Sequence, residues 1–250
     1  MRPVTLSERL RTVAGMVTRG NVVCDVGCDH GFTAIYLVQK GISPRALAMD
    51  LRKGPLSAAG EHIAACGLGE QIETRLSDGL HKYKIGEADT LICAGMGGGL
   101  MMRILAEERE KTDSFRELVL QPQSELQQFR RFLRENGYRI RDEEILLEEG
   151  KFYQVIRAVT DRERDSQPGS VEASDRTDFE LCKLEDRYGP VLLRKKTPVF
   201  LSFLEREEAI CEQILTQLRS QGLADDKRRE RYEEVETQLQ DCRRARDLPI

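Results

Sequence analysis

"VVCDVGCDHGFTAIYL", residues 22–37, is the stretch that decides the fold. Its first residues form an apolar run typical of a buried strand, its last residues have the apolar content of a helix, and two glycines mark a turn between them. The turn carries Asp25, Asp29 and His30, side chains that a core accepts only when they have polar partners. In a parallel sheet, a turn of this kind lies at the edge where ligands bind. The polar residues therefore indicate a binding site.

Short apolar runs alternate with helical patterns on both sides of this stretch. Strands are predicted over residues 21–26, 45–50, 71–76, 89–94 and 117–121, and helices over residues 5–17, 31–40, 55–66, 98–109 and 124–136. This alternation implies right-handed crossovers between parallel strands. It predicts an α/β fold with a mostly parallel sheet covered by helices on both faces.

Residues 138–159 interrupt the alternation. The sequence "YRIRDEEILLEEGKFYQVIRAV" has two strand-like halves joined by "EEGK", with no helix between them. This pattern predicts an antiparallel hairpin at a sheet edge. A terminal antiparallel hairpin on a mostly parallel sheet resembles the Rossmann-like fold of S-adenosylmethionine-dependent methyltransferases, a resemblance of fold that the site residues must support.

The sequence after the hairpin predicts a linker and a helical region. Residues 161–178 are polar and contain Pro, Gly and Ser, which favours a flexible linker. Apolar residues then recur at spacings of three and four over residues 197–218 and 232–242, which predicts a coiled-coil-like helical hairpin after a helix near 178–188. The predicted domains are residues 1–160, a linker over 161–178 and a C-terminal helical domain over 179–250.

The composition indicates a folded chain of one ordinary domain and a smaller appendage, since 40% of its 250 residues are hydrophobic. The net charge of −4 disfavours a strongly basic nucleic-acid-binding surface but is compatible with local basic patches. Neither a run of about 18 apolar residues nor a signal-peptide core is present, so we expect a cytoplasmic protein without membrane contact. The seven cysteines form no C-x-x-C pair, which predicts free thiols and no metal site. His62 and His81 have no evident partners in the sequence, and we expect both to be solvated.

An acid or a glycine-rich loop follows each of four successive predicted strands. Asp25 ends the first strand, and Asp50 ends the second, where a carboxylate can accept hydrogen bonds from ribose hydroxyls. Asp78 and Gly79 follow the third strand. The loop "AGMGGGL" (94–100) follows the fourth, and its glycines are expected to leave backbone groups uncovered for a ligand. Each of these alone is more often an ordinary turn. Their recurrence after four strands predicts a nucleoside-binding site.

The first loop distinguishes between two nucleoside cofactors. A dinucleotide requires G-x-G-x-x-G for its pyrophosphate, but the loop reads G-x-x-x-G and places Asp29 where a phosphate would lie. S-adenosylmethionine instead carries a sulfonium and an ammonium group, which an acidic loop suits. On the residues alone, two alternatives stay open: an NAD-binding oxidoreductase, and a non-catalytic RNA- or protein-binding module with a cofactor-like pocket.

Several segments together carry a resemblance to a known family. They read "LSERLRTVA" (6–14), "DVGCDHG" (25–31), "KGPLSAA" (53–59), "SDGL" (77–80), "ICAGMGGGL" (92–100), "LQPQSE" (120–125), "FLRENGYRI" (132–140) and "EEGKFYQVI" (148–156). In this combination the chain resembles the bacterial tRNA (adenine(22)-N(1))-methyltransferase family, also called TrmK, over residues 5–159. It departs from the family where Phe32, Thr33 and Ala34 follow "DHG" in place of the usual tyrosine, leucine and proline.

The resemblance implies methyl transfer from S-adenosylmethionine to N1 of an adenine in tRNA. Neutral adenine N1 has a lone pair and no proton, so the reaction needs positioning and no general base. Because the product is a cation, a carboxylate near N1 would stabilise it. The predicted catalytic residues are therefore Asp29 and its neighbour His30.

The remaining predicted site residues fall into two groups. The cofactor-binding group is Asp25, Gly27, Cys28, Asp29, Asp50, Leu51, Asp78, Gly79, Ala94, Gly95, Met96 and Gly97. The substrate-binding group is Met96, which would contact a displaced base, with Arg9, Arg11, Arg130 and Arg131, which would contact the RNA backbone. The C-terminal helices, which mix acids and bases, suit either tRNA binding or a homodimer.

Overall fold

The computed structural model describes residues 3–160, 179–222 and 225–249. The chain divides into two compact units, Met1–Ser174 and Asp175–Ile250. The predicted linker, residues 161–178, lies outside the described residues.

Within residues 3–160, seven strands form one sheet. They are β1 (Val23–Val26), β2 (Ala46–Asp50), β3 (Ile72–Leu76), β4 (Thr90–Met96), β5 (Glu117–Pro122), β6 (Tyr138–Glu148) and β7 (Lys151–Thr160). The strand order is β3-β2-β1-β4-β5-β7-β6. The first five strands are parallel, whereas β7 is antiparallel to both β5 and β6. The predicted Rossmann-like methyltransferase fold with a terminal antiparallel hairpin is confirmed.

Helices connect the strands of this unit. They are α1 (Glu8–Gly15), α2 (Phe32–Gln39), α3 (Lys53–Ala65), α4 (Gly98–Glu107), α5 (Arg109–Thr112) and α6 (Leu126–Glu135). The predicted helix over residues 98–109 ends at Glu107 and is followed by the separate short α5. Helix α1 begins at an N-cap formed by Ser7, whose hydroxyl accepts a hydrogen bond from the Leu10 backbone N–H at 3.3 Å.

Two hydrophobic clusters cover the two faces of the sheet. Alternate residues of β1 point to opposite faces, so Val23 joins one cluster and Cys24 joins the other. Helices α1, α2 and α3 cover the first face, and α4 and α6 cover the second. Strands β1 and β2 are buried along their whole length, as a sheet covered on both faces requires. This burial leaves the loops at the strand ends to form the site.

A buried ion pair connects α6 to the hairpin. The Arg130 side chain, 1% exposed, donates from Nε to Glu143 Oε1 at 2.8 Å and also bonds Gln154. Phe129 and Leu133 on the same helix are buried, and Arg130 lies beside them. The prediction that Arg130 contacts RNA is therefore wrong, because its guanidinium is enclosed in the core with a carboxylate partner. Arg131, the next residue, is exposed.

The second unit consists of helices. They are α7 (Phe179–Tyr188), α8 (Pro190–Lys195), α9 (Pro198–Gln221) and α10 (Asp226–Asp247). Helices α9 and α10 run antiparallel and bury Cys211, Leu215, Val235 and Leu239 between them. The predicted helical hairpin is present, whereas the short α8 was not predicted. No helix in the described ranges is both long and apolar enough to cross a membrane.

Candidate active site

The carboxyl ends of the parallel strands surround a cavity of about 470 Å³. This volume lies within the range of small-molecule sites. Most of the predicted site residues line it, namely Arg9, Asp25, Gly27, Cys28, Asp29, His30, Asp50, Leu51, Asp78, Gly79, Ala94, Gly95 and Met96. Gly97 does not line the cavity but forms the N-cap of α4, and Arg11 is an exposed residue of α1 outside it. The structure thus brings together loops that are far apart in sequence.

The loop after β1 is held against β2 by backbone hydrogen bonds. The N–H groups of Gly27 and Cys28 both donate to the Met49 carbonyl, at 2.8 and 3.0 Å. Gly27 has a φ of +77°, and a Cβ there would lie 2.7 Å from the Met96 methyl carbon. The positive φ favours glycine at position 27, and its bare backbone forms part of the cavity wall.

Two buried carboxylates form the acidic floor of the cavity. Asp25 is 4% exposed and Asp50 is 5% exposed. Asp50 accepts from the backbone N–H of Asp29 at 3.2 Å and from that of Arg52 at 2.8 Å. Burial, and then the charge of Asp50, raise the pKa of Asp25 to about 7. A cation bound here would favour the ionised form of Asp25.

Asp29 lies at the mouth of the cavity, with its side chain 61% exposed. Its Oδ1 is 3.8 Å from His30 Nε2 and 3.7 Å from Arg52 Nη2. The backbone of Asp29 is left-handed, with a φ of 51°, a conformation that aspartate and asparagine tolerate better than most residues. Arg52 also lines the cavity but was not among the predicted site residues, although it follows Asp50 by two residues in the same loop.

Asp78 in the loop after β3 is paired with a residue of α4. Arg103 Nη2 lies 3.4 Å from Asp78 Oδ1, and both residues line the cavity. Ser77 fixes this loop, because its hydroxyl donates to the Gly79 carbonyl at 2.9 Å. Arg103 was also missed, and its place on the first turns of the helix after the glycine-rich loop was the available signal.

The glycines that begin α4 pack against the segment before α6. The Gly98 N–H donates to Ser124 Oγ at 3.3 Å, and the Gly99 N–H donates to Glu125 Oε2 at 2.7 Å. A Cβ on Gly98 would lie 2.5 Å from the Ser124 carbonyl oxygen. The interpretation that these glycines leave the backbone uncovered for a ligand is therefore wrong for Gly98 and Gly99, which allow a close approach of protein.

An aromatic cluster lies beside the mouth of the cavity. The Phe32 ring stacks on the His62 ring with centroids 4.7 Å apart. His62 Nδ1 lies 3.1 Å from the His30 carbonyl oxygen. The expectation that His62 is simply solvated is therefore wrong, since it supports both Phe32 and the loop that carries His30. Phe32 itself lines the cavity.

The described part of the chain contains no set of side chains placed to bind a metal ion. Across residues 3–160, 179–222 and 225–249, no group of three or more His, Cys, Asp or Glu side chains is placed to hold a metal ion. What the cavity offers instead is bare backbone and four carboxylates, which suit a nucleoside ligand with positive charge. Two of its three arginines, Arg52 and Arg103, lie beside these carboxylates.

The fold and this acid-lined cavity together define a methyltransferase. The family model of a methyltransferase domain matches residues 6–156. The crystal structure of the Bacillus subtilis M1A22 tRNA methyltransferase TrmK is similar, with a TM-score of 0.80 and 31% identity, over 98% of this chain and 100% of that one. Streptococcus pneumoniae Sp1610 in complex with S-adenosyl-L-methionine has a TM-score of 0.78 and 29% identity, over 96% of this chain and 99% of that one.

A curated relative shows to which family of methyltransferases the chain belongs. The tRNA (adenine(22)-N(1))-methyltransferase of Bacillus subtilis is 35% identical over 218 residues, which are 86% of this chain and 87% of the relative. The chain belongs to the tRNA (adenine(22)-N(1))-methyltransferase family. Membership favours the methyltransferase prediction over the NAD-binding oxidoreductase and over the non-catalytic module.

Proposed function

We infer that this protein transfers a methyl group from S-adenosylmethionine to N1 of adenine 22 in tRNA. The observation that carries the inference is the set of carboxylates around one cavity, Asp25, Asp29, Asp50 and Asp78, in a chain of this family. The acidic floor matches a cofactor that has two cationic groups and no phosphate. It does not match a dinucleotide, whose pyrophosphate Asp29 and Asp25 would repel.

The residues of the cavity fit the cofactor in three places. Asp50 ends β2 with both carboxylate oxygens able to accept further hydrogen bonds, as the two ribose hydroxyls require. Buried Asp25 suits the ammonium group, and Asp78 suits the adenine amine. The cofactor supplies the methyl group on a positively charged sulfur.

The residues at the mouth act on the adenine. N1 lies on the Watson–Crick edge, so the base must be displaced before it reaches the cavity. Met96 and Phe32 offer apolar surface to such a base, and Met96 also packs over Gly27. Asp29 stabilises the positive charge that forms on the methylated ring, and His30 orients Asp29.

We propose tRNA contacts in each unit separately, through exposed arginines of the first unit and through the helices of the second. Arg11 and Arg131 are exposed, in contrast to Arg130, and their guanidinium groups suit contact with phosphates. Pairing of two copies through α9 and α10 stays a prediction. A cytoplasmic location is proposed because the proposed substrate is tRNA.

Methylation of a defined transcript tests the proposed function. Unmodified tRNA with adenine at position 22 is incubated with the protein and labelled S-adenosylmethionine, beside the same transcript with guanine at that position. Label should appear only in the first, and reverse transcription should stop just before position 22, because a methyl on N1 blocks base pairing. Label at another nucleotide, or none, would contradict the inference.

Removing the Asp50 carboxylate should weaken cofactor binding. We expect Asp50→Ala to lower the affinity for S-adenosylhomocysteine by roughly 1–3 kcal/mol, the size of losing charge-assisted hydrogen bonds. Titration calorimetry measures this, with exposed Asp247→Ala in the second unit as the matched control. Asp50→Asn, which keeps an acceptor for the Arg52 N–H, separates ligand binding from loop stability. Unchanged affinity in both Asp50 variants would remove this residue from the site.

Removing the helical unit should impair tRNA methylation and spare cofactor binding. A chain that ends at residue 174 retains the first compact unit and its cavity. We expect normal S-adenosylhomocysteine affinity but at least about tenfold lower kcat/KM for tRNA, because phosphate contacts are lost. Full activity of the shortened chain at limiting tRNA would assign the helices another role.

A further inference from the structure

Among the described residues, three arginines line the cavity, and one of them differs from the others in its partners. Arg52 lies 3.7 Å from both Asp29 and Asp50, and Arg103 lies 3.4 Å from Asp78. These two arginines are therefore largely neutralised by carboxylates.

Arg9 forms no ion pair with any described residue. Its Nη1 donates to Gln121 Oε1 at 2.7 Å, and its guanidinium lies 5.6 Å from the centre of the Tyr153 ring. The nearby Glu148 carboxylate accepts instead from the backbone N–H groups of Glu8 and Arg9, at 2.6 and 3.3 Å. Among the described residues, no carboxylate therefore compensates the positive charge of Arg9, in contrast to those of Arg52 and Arg103.

Gln121 holds Arg9 and the cavity wall through one buried oxygen. Gln121 is 0% exposed. Its Oε1 accepts from Arg9 and, at 3.2 Å, from the Gly95 N–H. The pairing of β4 with β5 shifts register between Ala94 and Met96, and Gly95 at this irregularity has a φ of +80°. The amide of Gln121 replaces the regular ladder at this point.

A glutamine amide can accept from both Arg9 and the Gly95 N–H without neutralising the charge of Arg9. A glutamate at position 121 would offer the same acceptors but would form a buried ion pair with the guanidinium. A neutral amide fixes the direction of the guanidinium and leaves its charge available to a ligand. An available guanidinium at this position favours an anionic ligand group.

We propose that Gln121 is a positioning residue that holds Arg9 as an anion-binding group of the cavity. The inference rests on the proposed function, which supplies two sources of anionic oxygen: the carboxylate of the cofactor's amino-acid part and a phosphodiester of the tRNA. Arg9 binds one of them in the direction that Gln121 sets, next to the Gly95 backbone.

The test compares two full-length variants. Gln121→Glu would neutralise the Arg9 guanidinium with a new carboxylate, and Arg9→Gln removes the guanidinium itself. If the anion is the cofactor carboxylate, both variants lower S-adenosylhomocysteine affinity about tenfold in calorimetry. If it is a phosphate, both variants leave that affinity unchanged and raise the KM for tRNA about tenfold at near-constant kcat. Both also reduce the slope of log tRNA affinity against log salt concentration by about one.

The double variant distinguishes positioning from general damage. Because both changes act on one guanidinium, Arg9→Gln with the neutral Gln121→Met should be no weaker than Arg9→Gln alone. Additive losses, or a Gln121→Glu protein unchanged in both affinity and KM, would overturn the proposal. If Gln121→Glu does not fold, the neutral Gln121→Met replaces it. Gln121→Met must then impair the same property that Arg9→Gln impairs, either S-adenosylhomocysteine affinity or the KM for tRNA, and an unchanged value would also overturn the proposal. Wild-type protein that fails to methylate tRNA but binds S-adenosylhomocysteine refutes the proposed function, and the calorimetric arm still tests Arg9 and Gln121.

Discussion

Replacing Asp29 by asparagine should lower the maximal rate of methyl transfer about 100-fold and change cofactor affinity little. The carboxylate lies at the mouth, between His30 Nε2 and Arg52 Nη2, where the methylated adenine would carry its new charge. Asparagine keeps the shape and tolerates the left-handed backbone of position 29. What the variant loses is negative charge at the point where positive charge develops.

Single-turnover methylation at saturating cofactor measures this effect, and calorimetry with S-adenosylhomocysteine provides the matching affinity. Asp25→Asn is the comparison, because Asp25 lies deeper on the floor and should alter affinity more than rate. An Asp29→Asn protein that binds the cofactor weakly yet reacts at the wild-type rate when saturated would make Asp29 a cofactor ligand only.

Affinity for S-adenosylhomocysteine should fall about tenfold for each pH unit below 7. Burial, and then the neighbouring charge of Asp50, raise the pKa of Asp25 to about 7 in the ligand-free protein. The ammonium group favours ionised Asp25, so binding at pH 6 must release a proton. Calorimetry at pH 6 in two buffers with different ionisation enthalpies detects that proton. Asp25→Asn should abolish its release, and an affinity that stays flat from pH 6 to 8 would contradict the assignment.

The same pKa gives a stability control with a defined sign. An aspartate in the unfolded chain loses its proton near pH 4, whereas folded Asp25 keeps it to about pH 7. The folded state therefore binds more protons in this window, and ligand-free protein becomes less stable as pH rises through it. Relative to wild type, Asp25→Asn should gain stability from pH 5 to pH 8. Thermal unfolding at both pH values checks this difference.

The sequence predicted the elements of the fold because their apolar periodicities are local. It also predicted that Asp25, Asp50 and Asp78 share a cavity, since the carboxyl ends of parallel strands meet at one edge. Both conclusions required only strand order and the position of a residue within its loop.

The predictions from sequence were wrong for residues whose environment depends on a partner distant in sequence. Arg130 was predicted as an RNA contact because nothing near it in sequence reveals Glu143 on the hairpin. His62 was predicted as solvated because its stacking partner, Phe32, lies on another helix. Gly98 was interpreted as ligand-facing, whereas its missing side chain makes room for Ser124. In each case tertiary packing, which local pattern does not encode, determined the outcome.

The bond between Glu148 and the start of α1 has a consequence for the order in which the protein can be completed during synthesis. The acceptor lies 140 residues after Glu8, at the end of β6, and Gln121 lies 112 residues after Arg9. A ribosome releases α1 first, long before either partner has been translated. Helix α1 must therefore wait for β5 before Arg9 is fixed at the cavity, and for β6 before its first turn is held by Glu148. A nascent chain interrupted before β5 would carry the acidic loops of β1 to β3 but neither of these partners for α1.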